Sequence, residues 1–165
     1  VLGKLKPITG RMQEVAKKKN GARIFVDYAH TPEALQAALR SLRLHFMGNI
    51  NLVFGAGGDR DKGKRKLMGK VAANLSDNLI ITDDNPRNED PSSIRSQIKV
   101  GCPDAIEIAD RAEAILTGIE KLNNGDALII AGKGHENTQT IGNDVFPFND
   151  AEQASFSVQA LEIKK

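Results

Sequence analysis

Short apolar runs alternate with longer amphipathic stretches along the chain. Five of the apolar runs have the continuous apolar character of buried strands, at residues 24–26, 52–54, 79–81, 106–108 and 128–130. Most of the stretches between them repeat apolar residues every three or four positions, which is typical of helices that bury one face. Because strand and helix alternate, the pattern predicts right-handed crossovers and an α/β domain.

Capping residues and prolines mark the starts of the predicted helices. Thr31 caps the first helix and Pro32 occupies its first turn, a combination that favours helix initiation. Further helices are expected at residues 64–75, 91–100, 112–122 and 150–163. In the second helix, Leu67 is expected to point inward.

Near the C-terminus, Asn143 and Asp144 form a turn signal between two short runs, which predicts a hairpin. We expect this hairpin to add an antiparallel edge strand to the main sheet. The predicted fold is therefore α/β and Rossmann-like. It has an open, mostly parallel sheet, helices on both faces, and that edge strand.

Charged and glycine-rich clusters occur where the five predicted strands end. They occupy residues 27–32, 55–60, 83–87, 110–111 and 132–136. In an open parallel α/β sheet, ligands bind outside the carboxyl ends of the strands. We therefore expect all five clusters to lie at one edge and to hold a polar, charged small molecule.

Composition excludes several classes of protein. The 165 residues are 40% hydrophobic and 27% charged, as in one soluble domain. A net charge of +2 and an aromatic content of 4% argue against a nucleic-acid partner. Cys102 is the single cysteine, and His135 and Glu136 lack a histidine at metal-ligand spacing, so no metal site is predicted here. Neither a signal peptide nor a membrane-spanning run is found, so a cytoplasmic location without membrane insertion is expected.

Two overlapping segments nearly match general nucleotide-binding motifs. Residues 58–65 have the glycine and lysine spacing of a phosphate-binding loop, but Arg65 stands where a hydroxyl for Mg²⁺ is needed. Residues 55–60 begin like a dinucleotide-binding fingerprint, but Arg60 replaces the third glycine. A stand-alone dinucleotide-binding module of an oxidoreductase stays open as an alternative, which saturable NAD(P)H binding would reveal.

The segment of residues 84–87 has the composition of an ordinary turn, yet it ends in Arg87. The guanidinium of arginine is a planar fork of donors that binds a carboxylate bidentately. Arg60, predicted one strand away at the same edge, favours a shared anion. The competing interpretation is that Arg87 pairs with Asp84 or Glu89 at the surface.

Six motifs in order resemble the C-terminal domain of the Mur ligases. They are GRM at residues 10–12, DYAHTP at 27–32, GGDRDKGKR at 57–65, TDDNPR at 82–87, DRAEAI at 110–115 and GKGHE at 132–136. The resemblance covers essentially the whole chain. It is closest to the family members that add the third amino acid in peptidoglycan synthesis. The folylpolyglutamate synthetases share this architecture and remain a second alternative.

The resemblance implies an ATP- and Mg²⁺-dependent amide ligase that adds meso-diaminopimelate to UDP-N-acetylmuramoyl-L-Ala-D-Glu through an acyl phosphate. The residues implied to bind the incoming amino acid are Arg60, Asp84, Asn85, Pro86, Arg87, Gly132 and Glu136. Those implied to lie near ATP are Arg11, Asp27, Tyr28 and His30. Meso-diaminopimelate is expected rather than lysine, because the lysine-using ligases that resemble this chain lack the arginine at position 87.

In the family, the phosphate-binding loop, the Mg²⁺ ligands and a modified lysine belong to a central domain, and the UDP-sugar site to an N-terminal one. Neither domain is found in these residues. The chain is therefore expected to be one C-terminal domain, residues 1–165, that works with its own central and N-terminal domains. No catalytic residue or metal ligand is implied within it, and alone it is expected to be inactive.

Overall fold

Six strands form the main sheet. The structure, a computed structural model, describes residues 10–164, so residues 1–9 and 165 of the predicted domain lie outside it. The strands are β1 (Gln13–Lys17), β2 (Arg23–Asp27), β3 (Ile50–Phe54), β4 (Asn78–Ile81), β5 (Ile106–Glu107) and β6 (Ala127–Ala131). Their order is β1-β2-β6-β3-β4-β5, with β1 antiparallel to β2 and every other pair parallel. The predicted open, mostly parallel sheet is confirmed.

Helices cover both faces of this sheet. They are α1 (Pro32–His45), α2 (Gly63–Leu75), α3 (Pro91–Lys99), α4 (Arg111–Glu120) and α5 (Asp150–Ile163). One hydrophobic cluster joins α1, α2 and α3 to one face, and a second joins α4 and α5 to the other. Because β3 and β6 are covered on both sides, they are buried along their whole length. No helix within residues 10–164 combines the length and apolar character needed to cross a bilayer.

Leu67 does not point inward as predicted, since 51% of it is exposed. The inward face of α2 is formed by Arg65, Met68, Gly69 and Ala72, which follow the helical repeat. At 100° per residue, Leu67 lies about 150° around the helix from the centre of this buried face, so it faces solvent. Arg65 thus lies on the buried face of α2, where an apolar pattern predicts an apolar side chain.

The C-terminal hairpin forms, but its predicted position is wrong. Strands β7 (Thr138–Ile141) and β8 (Asp144–Pro147) pair antiparallel in a separate two-stranded sheet, and the antiparallel edge strand of the main sheet is β1. β6 lies in the middle of the sheet, between β2 and β3, and the few residues that follow it do not reach an edge. Instead, Ile141 bridges to Arg87, so the hairpin lies against the loop that follows β4.

The carboxyl ends of the parallel strands are aligned. Ala131 is paired with both Asp27 and Phe54, and Phe54 is paired in turn with Ile81. The loops that follow β2, β3, β4 and β6 therefore begin side by side. The predicted gathering of charged clusters at one edge is confirmed for the four clusters that follow these strands.

Candidate active site

A cleft of about 150 Å³ opens at this edge. Eight of the eleven predicted site residues line it, and Arg11, Asp27 and Pro86 do not. Its lining consists of Tyr28, His30, Gly55, Ala56, Gly57, Arg60, Lys64, Asp84, Asn85, Arg87, Gly132 and Glu136. A larger cavity of about 280 Å³ lies toward the opposite end of the strands and contains none of the predicted residues.

The cluster at residues 110–111 does not contribute to the cleft, contrary to the expectation for all five clusters. Asp110 caps α4 by accepting a hydrogen bond from the Glu113 amide at 2.8 Å. Arg111 is fully buried and forms a bidentate pair with Asp150. This cluster therefore supports the fold rather than a ligand.

Close backbone contact joins the loops that follow β3 and β4. The amide of Gly58 donates to the Asn85 carbonyl at 2.8 Å. A Cβ atom on Gly58 would lie 1.7 Å from the Pro86 carbonyl oxygen, so only glycine fits there. Pro86 is thus buried beneath Gly58. It supports the loop from below and does not line the cleft.

Arg87 is anchored but not neutralised. Its backbone amide donates to Thr140 at 3.0 Å and its carbonyl accepts from Gly142 at 2.6 Å. Its Nη1 group donates to the Gly58 carbonyl at 2.9 Å. No carboxylate in residues 10–164 lies within 4.0 Å of its guanidinium, so the alternative pairing with Asp84 or Glu89 is wrong. The remaining donors of the fork are left for an anion.

Arg60 lies beside Arg87, as predicted. A Cβ atom on Gly57 would lie 2.8 Å from Nη1 of Arg87 and 3.7 Å from Cγ of Arg60. Arg60 is exposed and donates from Nη1 to the carbonyl of Asp59 at 3.0 Å. The guanidinium of Arg87 and the aliphatic stem of Arg60 therefore both lie close to Gly57, on one side of the cleft.

The other side of the cleft is acidic, and a buried lysine that the sequence analysis did not single out lies behind it. The side chain of Lys133 is fully buried and lies 3.3 Å from the Glu136 carboxylate and 3.9 Å from that of Asp84. Burial raises the pKa of Asp84, and the positive charges of Arg111 and Lys133 oppose that effect. A lysine between two glycines directly after a wholly apolar strand was the signal available in the sequence.

Arg65 is the second buried cation that was missed. Its guanidinium binds both oxygens of Glu89, at 2.8 and 2.9 Å, and Nη2 also donates to the Gly57 carbonyl at 2.9 Å. Glu89 in turn accepts from the Asp59 amide at 2.7 Å. Because Arg65 points into the protein and holds a carboxylate, residues 58–65 do not form a phosphate-binding loop.

Replacing Glu89 with glutamine is expected to lower the melting temperature at neutral pH. Arg65 holds the pKa of Glu89 at about 2, below its ordinary value of 4.5. The carboxylate therefore stabilises the folded state fully above pH 4.5, and this contribution is lost as the pH falls toward 2. Thermal melts followed by circular dichroism should show a difference from the unsubstituted chain that is constant above pH 5 and narrows below pH 4.5.

The matched control for this pair is Glu120→Gln on α4, which removes an equal charge at an exposed position. It should shift the melting temperature little at any pH, because exposed charges contribute little. A Glu89→Gln deficit that stays constant down to pH 3 would contradict the assigned role of the ion pair.

The residues expected near a nucleotide lie at the neighbouring loop after β2. Asp27 accepts hydrogen bonds from the amides of Met12 and Ala29, both at 2.7 Å. The rings of Tyr28 and His30 meet edge to face with centroids 4.6 Å apart, and both line the cleft. Arg11 is exposed next to the segment that Asp27 holds. Within the described part of the chain, no group of three or more His, Cys, Asp or Glu side chains is arranged to hold a metal.

The family described as Mur ligase, glutamate ligase domain, matches residues 10–134, which is most of the chain. The chain belongs to the Mur ligase family. It is 52% identical over 158 residues to the UDP-N-acetylmuramoyl-L-alanyl-D-glutamate–2,6-diaminopimelate ligase of Zymomonas mobilis, covering 93% of this chain and 32% of that protein. The chain thus spans about a third of the length of the curated Mur ligases it matches.

Solved structures of a Mur ligase and of a folylpolyglutamate synthase share the fold. A structure of a UDP-N-acetylmuramoyl-L-alanyl-D-glutamate–2,6-diaminopimelate ligase superposes with a TM-score of 0.88 at 41% identity, covering 96% of this chain and 33% of that one. A folylpolyglutamate synthase/dihydrofolate synthase from Yersinia pestis, complexed with AMPPNP and a Mn ion, gives a TM-score of 0.60 at 16% identity, covering 94% and 32%. The second likeness shows the fold alone. The family match favours a Mur ligase domain over an oxidoreductase module.

Proposed function

We propose that the chain is the amino-acid-binding domain of an ATP-dependent ligase that joins meso-diaminopimelate to UDP-N-acetylmuramoyl-L-Ala-D-Glu. The observation that carries the proposal is the division of charge in the cleft. Arg87 and Arg60 lie on one side, and Glu136 and Asp84 on the other. The name of the Zymomonas mobilis relative supports the same substrate.

Meso-diaminopimelate matches this division because its distal end carries both a carboxylate and an ammonium group. The unneutralised donors of Arg87 suit the carboxylate, which guanidinium groups bind in a planar, bidentate manner. Among residues 10–164, hydrogen bonds to Glu136 are made at Oε2, which leaves Oε1 for the ammonium. Asp84, Asn85 and Gly132 complete the wall between them, and Pro86 supports it from beneath.

In the proposed reaction, ATP supplies the phosphoryl group that activates the terminal carboxylate of the UDP-linked dipeptide as an acyl phosphate. The amine of diaminopimelate attacks the acyl carbon, phosphate leaves, and an amide forms. The residues of this chain bind the distal end of the amino acid and thereby orient its attacking amine. Holding the two reactants in place in this way lowers the entropic part of the barrier. The phosphate-binding loop, the Mg²⁺ ligands and the UDP-sugar site are proposed to lie on central and N-terminal domains outside these residues. The cytoplasm, where ATP and UDP-linked precursors occur together, is the proposed location.

The loop after β2 fits one side of a nucleotide. Each oxygen of Asp27 accepts one backbone hydrogen bond, so each retains an acceptor position for a ribose hydroxyl. Arg11 is exposed and positively charged, as a group near the phosphates must be. Tyr28 and His30 offer aromatic faces between this loop and the cleft.

We expect the full-length protein to form UDP-N-acetylmuramoyl-tripeptide and the 165-residue chain alone to show no ligase or ATPase turnover. Phosphoryl transfer depends on a phosphate loop and metal ions for positioning and charge stabilisation. Hydrogen bonds from Arg11 and Asp27, each worth about 0.5–3 kcal/mol, do not offset the cost of immobilising a nucleotide. Chromatography of the UDP-linked product and a phosphate-release assay measure the two activities.

Three results would contradict parts of this proposal. ATP hydrolysis by the purified chain that changes with Arg11→Ala would contradict the expected inactivity. Ligation of glutamate to a folate by the full-length protein would favour the folylpolyglutamate synthetase alternative. Saturable micromolar binding of NAD(P)H would favour the oxidoreductase alternative.

A further inference from the structure

Lys133 is buried at the back of the cleft without lining it. It follows β6 between Gly132 and Gly134, whose φ angles are +114° and +55°. Its side chain is fully buried, a position in which an ammonium group is costly unless every N–H is bonded. Its Nζ donates to Asn85 Oδ1 at 3.0 Å, to Glu136 Oε2 at 3.3 Å and to the Thr138 carbonyl at 2.7 Å. All three donors of the ammonium group are therefore used.

These bonds fix the orientation of the Asn85 amide. Its Oδ1 accepts both from Lys133 and from the Thr140 amide, at 3.0 Å each. Its Nδ2 consequently faces the opposite way and donates to Glu136 Oε2 at 3.1 Å. Because Lys133 carries donors only, a flipped amide would place Nδ2 against the ammonium, so the charge reinforces the orientation that the Thr140 amide also favours.

The same bonds fix the Glu136 carboxylate. Lys133 and Asn85 both donate to Oε2, while no donor from residues 10–164 is bonded to Oε1 of this cleft-lining residue. Glu136 is 35% exposed, so packing alone does not determine its rotamer. Two residues of β7 complete the arrangement, since the Thr138 carbonyl accepts from Lys133 and the Thr140 amide donates to Asn85. The ammonium also offsets the repulsion between the carboxylates of Glu136 and Asp84.

We propose that Lys133 is a positioning residue for the amino-acid subsite, acting through Asn85 and Glu136. The inference rests on the proposed function, because those two residues are the ones proposed to meet the distal end of the amino acid. Lys133 sets the direction of the Asn85 amide and of the free Glu136 oxygen without contacting the substrate. A neutral side chain of the same length would fill the space but remove one of the two donors that hold Asn85 Oδ1 and one of the two that hold Glu136 Oε2.

The test uses the full-length enzyme with Lys133→Met. We expect the KM for meso-diaminopimelate to rise about 10- to 100-fold, the equivalent of one or two charge-assisted hydrogen bonds. The KM values for ATP and for the UDP-linked dipeptide should change less than about twofold. A purely structural role would instead lower the amount of active enzyme and leave all three KM values unchanged.

Lys18→Met is the matched control. Lys18 is also buried, and its Nζ donates to the carbonyls of Ile119 and Leu122, near the opposite end of the parallel strands. Its loss should lower the melting temperature without raising the KM for diaminopimelate. An equal rise in that KM in Lys18→Met would overturn the proposal, because the effect would then follow from burial of any lysine.

A double-mutant cycle separates action through Glu136 from an independent effect. If Lys133 acts through Glu136, Lys133→Met combined with Glu136→Gln should be little worse than Glu136→Gln alone. Additive effects on KM would overturn the proposal. If Lys133→Met is insoluble, Lys133→Leu, which also removes every donor, takes its place with the same expected outcomes. An unsubstituted enzyme that rejects diaminopimelate but ligates another amino acid would refute the proposed function, and the cycle would then be run with that amino acid.

Discussion

Replacing Arg87 with alanine in the full-length enzyme is expected to abolish most of its preference for meso-diaminopimelate over lysine. Nη1 of Arg87 is held by the Gly58 carbonyl, and the guanidinium has no carboxylate partner within residues 10–164. Lysine has no distal carboxylate, so it would leave this charge unpaired in a partly desolvated cleft. Removing one partner of such a pair costs about 2–5 kcal/mol. The corresponding discrimination is about 30-fold to several thousand-fold in kcat/KM.

The measurement is kcat/KM for both amino acids, with and without the substitution. Arg87→Ala should lower the value for diaminopimelate by most of that factor and leave the value for lysine nearly unchanged. Arg87 has a φ of +52°, and alanine also carries a Cβ atom, so the backbone strain is equal in the two proteins. Arg87→Lys keeps the charge but loses the fork, and an intermediate result is expected.

Arg40→Ala on α1 is a suitable control, because Arg40 is exposed and does not line the cleft. It should leave the ratio of the two kcat/KM values unchanged. Equal use of lysine and diaminopimelate by the unsubstituted enzyme would contradict the specificity, while the ligase function would stand.

The cleft could be predicted from the sequence because its position follows from local pattern. Apolar runs specify the strands, and the clusters that follow four of them begin at Asp27, Gly55, Asp83 and Gly132. Parallel strands in register bring their carboxyl ends together, and these clusters with them. No knowledge of long-range pairing was needed for that step. The family resemblance then assigned individual residues, eight of which line the cleft.

The partners of the buried cations could not be predicted, because they lie far away in the chain. Arg65 is 24 residues from Glu89, Arg111 is 39 from Asp150, and Lys133 is 48 from Asn85. Charged residues are mostly exposed, so a pattern-based interpretation leaves them in solvent. The position of the hairpin was predicted wrongly for a related reason. Its contact with Arg87 follows from the central position of β6, which strand pairing with distant β2 and β3 sets.

Replacing Asp150 with asparagine is expected to destabilise the chain by about 3–5 kcal/mol. Both side chains of the Arg111–Asp150 pair are fully buried, and the two hydrogen bonds between them measure 2.7 and 2.8 Å. Asparagine keeps the shape but turns one N–H group toward the guanidinium, which leaves an uncompensated buried charge. The effect should reach the cleft, because Arg111 also donates to the Asp83 and Ala131 carbonyls at the ends of β4 and β6.

Urea unfolding of the chain measures the loss, which corresponds to a fall in melting temperature of about 6–20 °C. Glu152→Gln is the matched control, since it lies in the same first turn of α5 and is exposed. It should cost less than about 1 kcal/mol. If Asp150→Asn were no worse than Glu152→Gln, the pair would not hold β4 and β6 together. The alignment of the loops would then rest on strand pairing and the hydrophobic core.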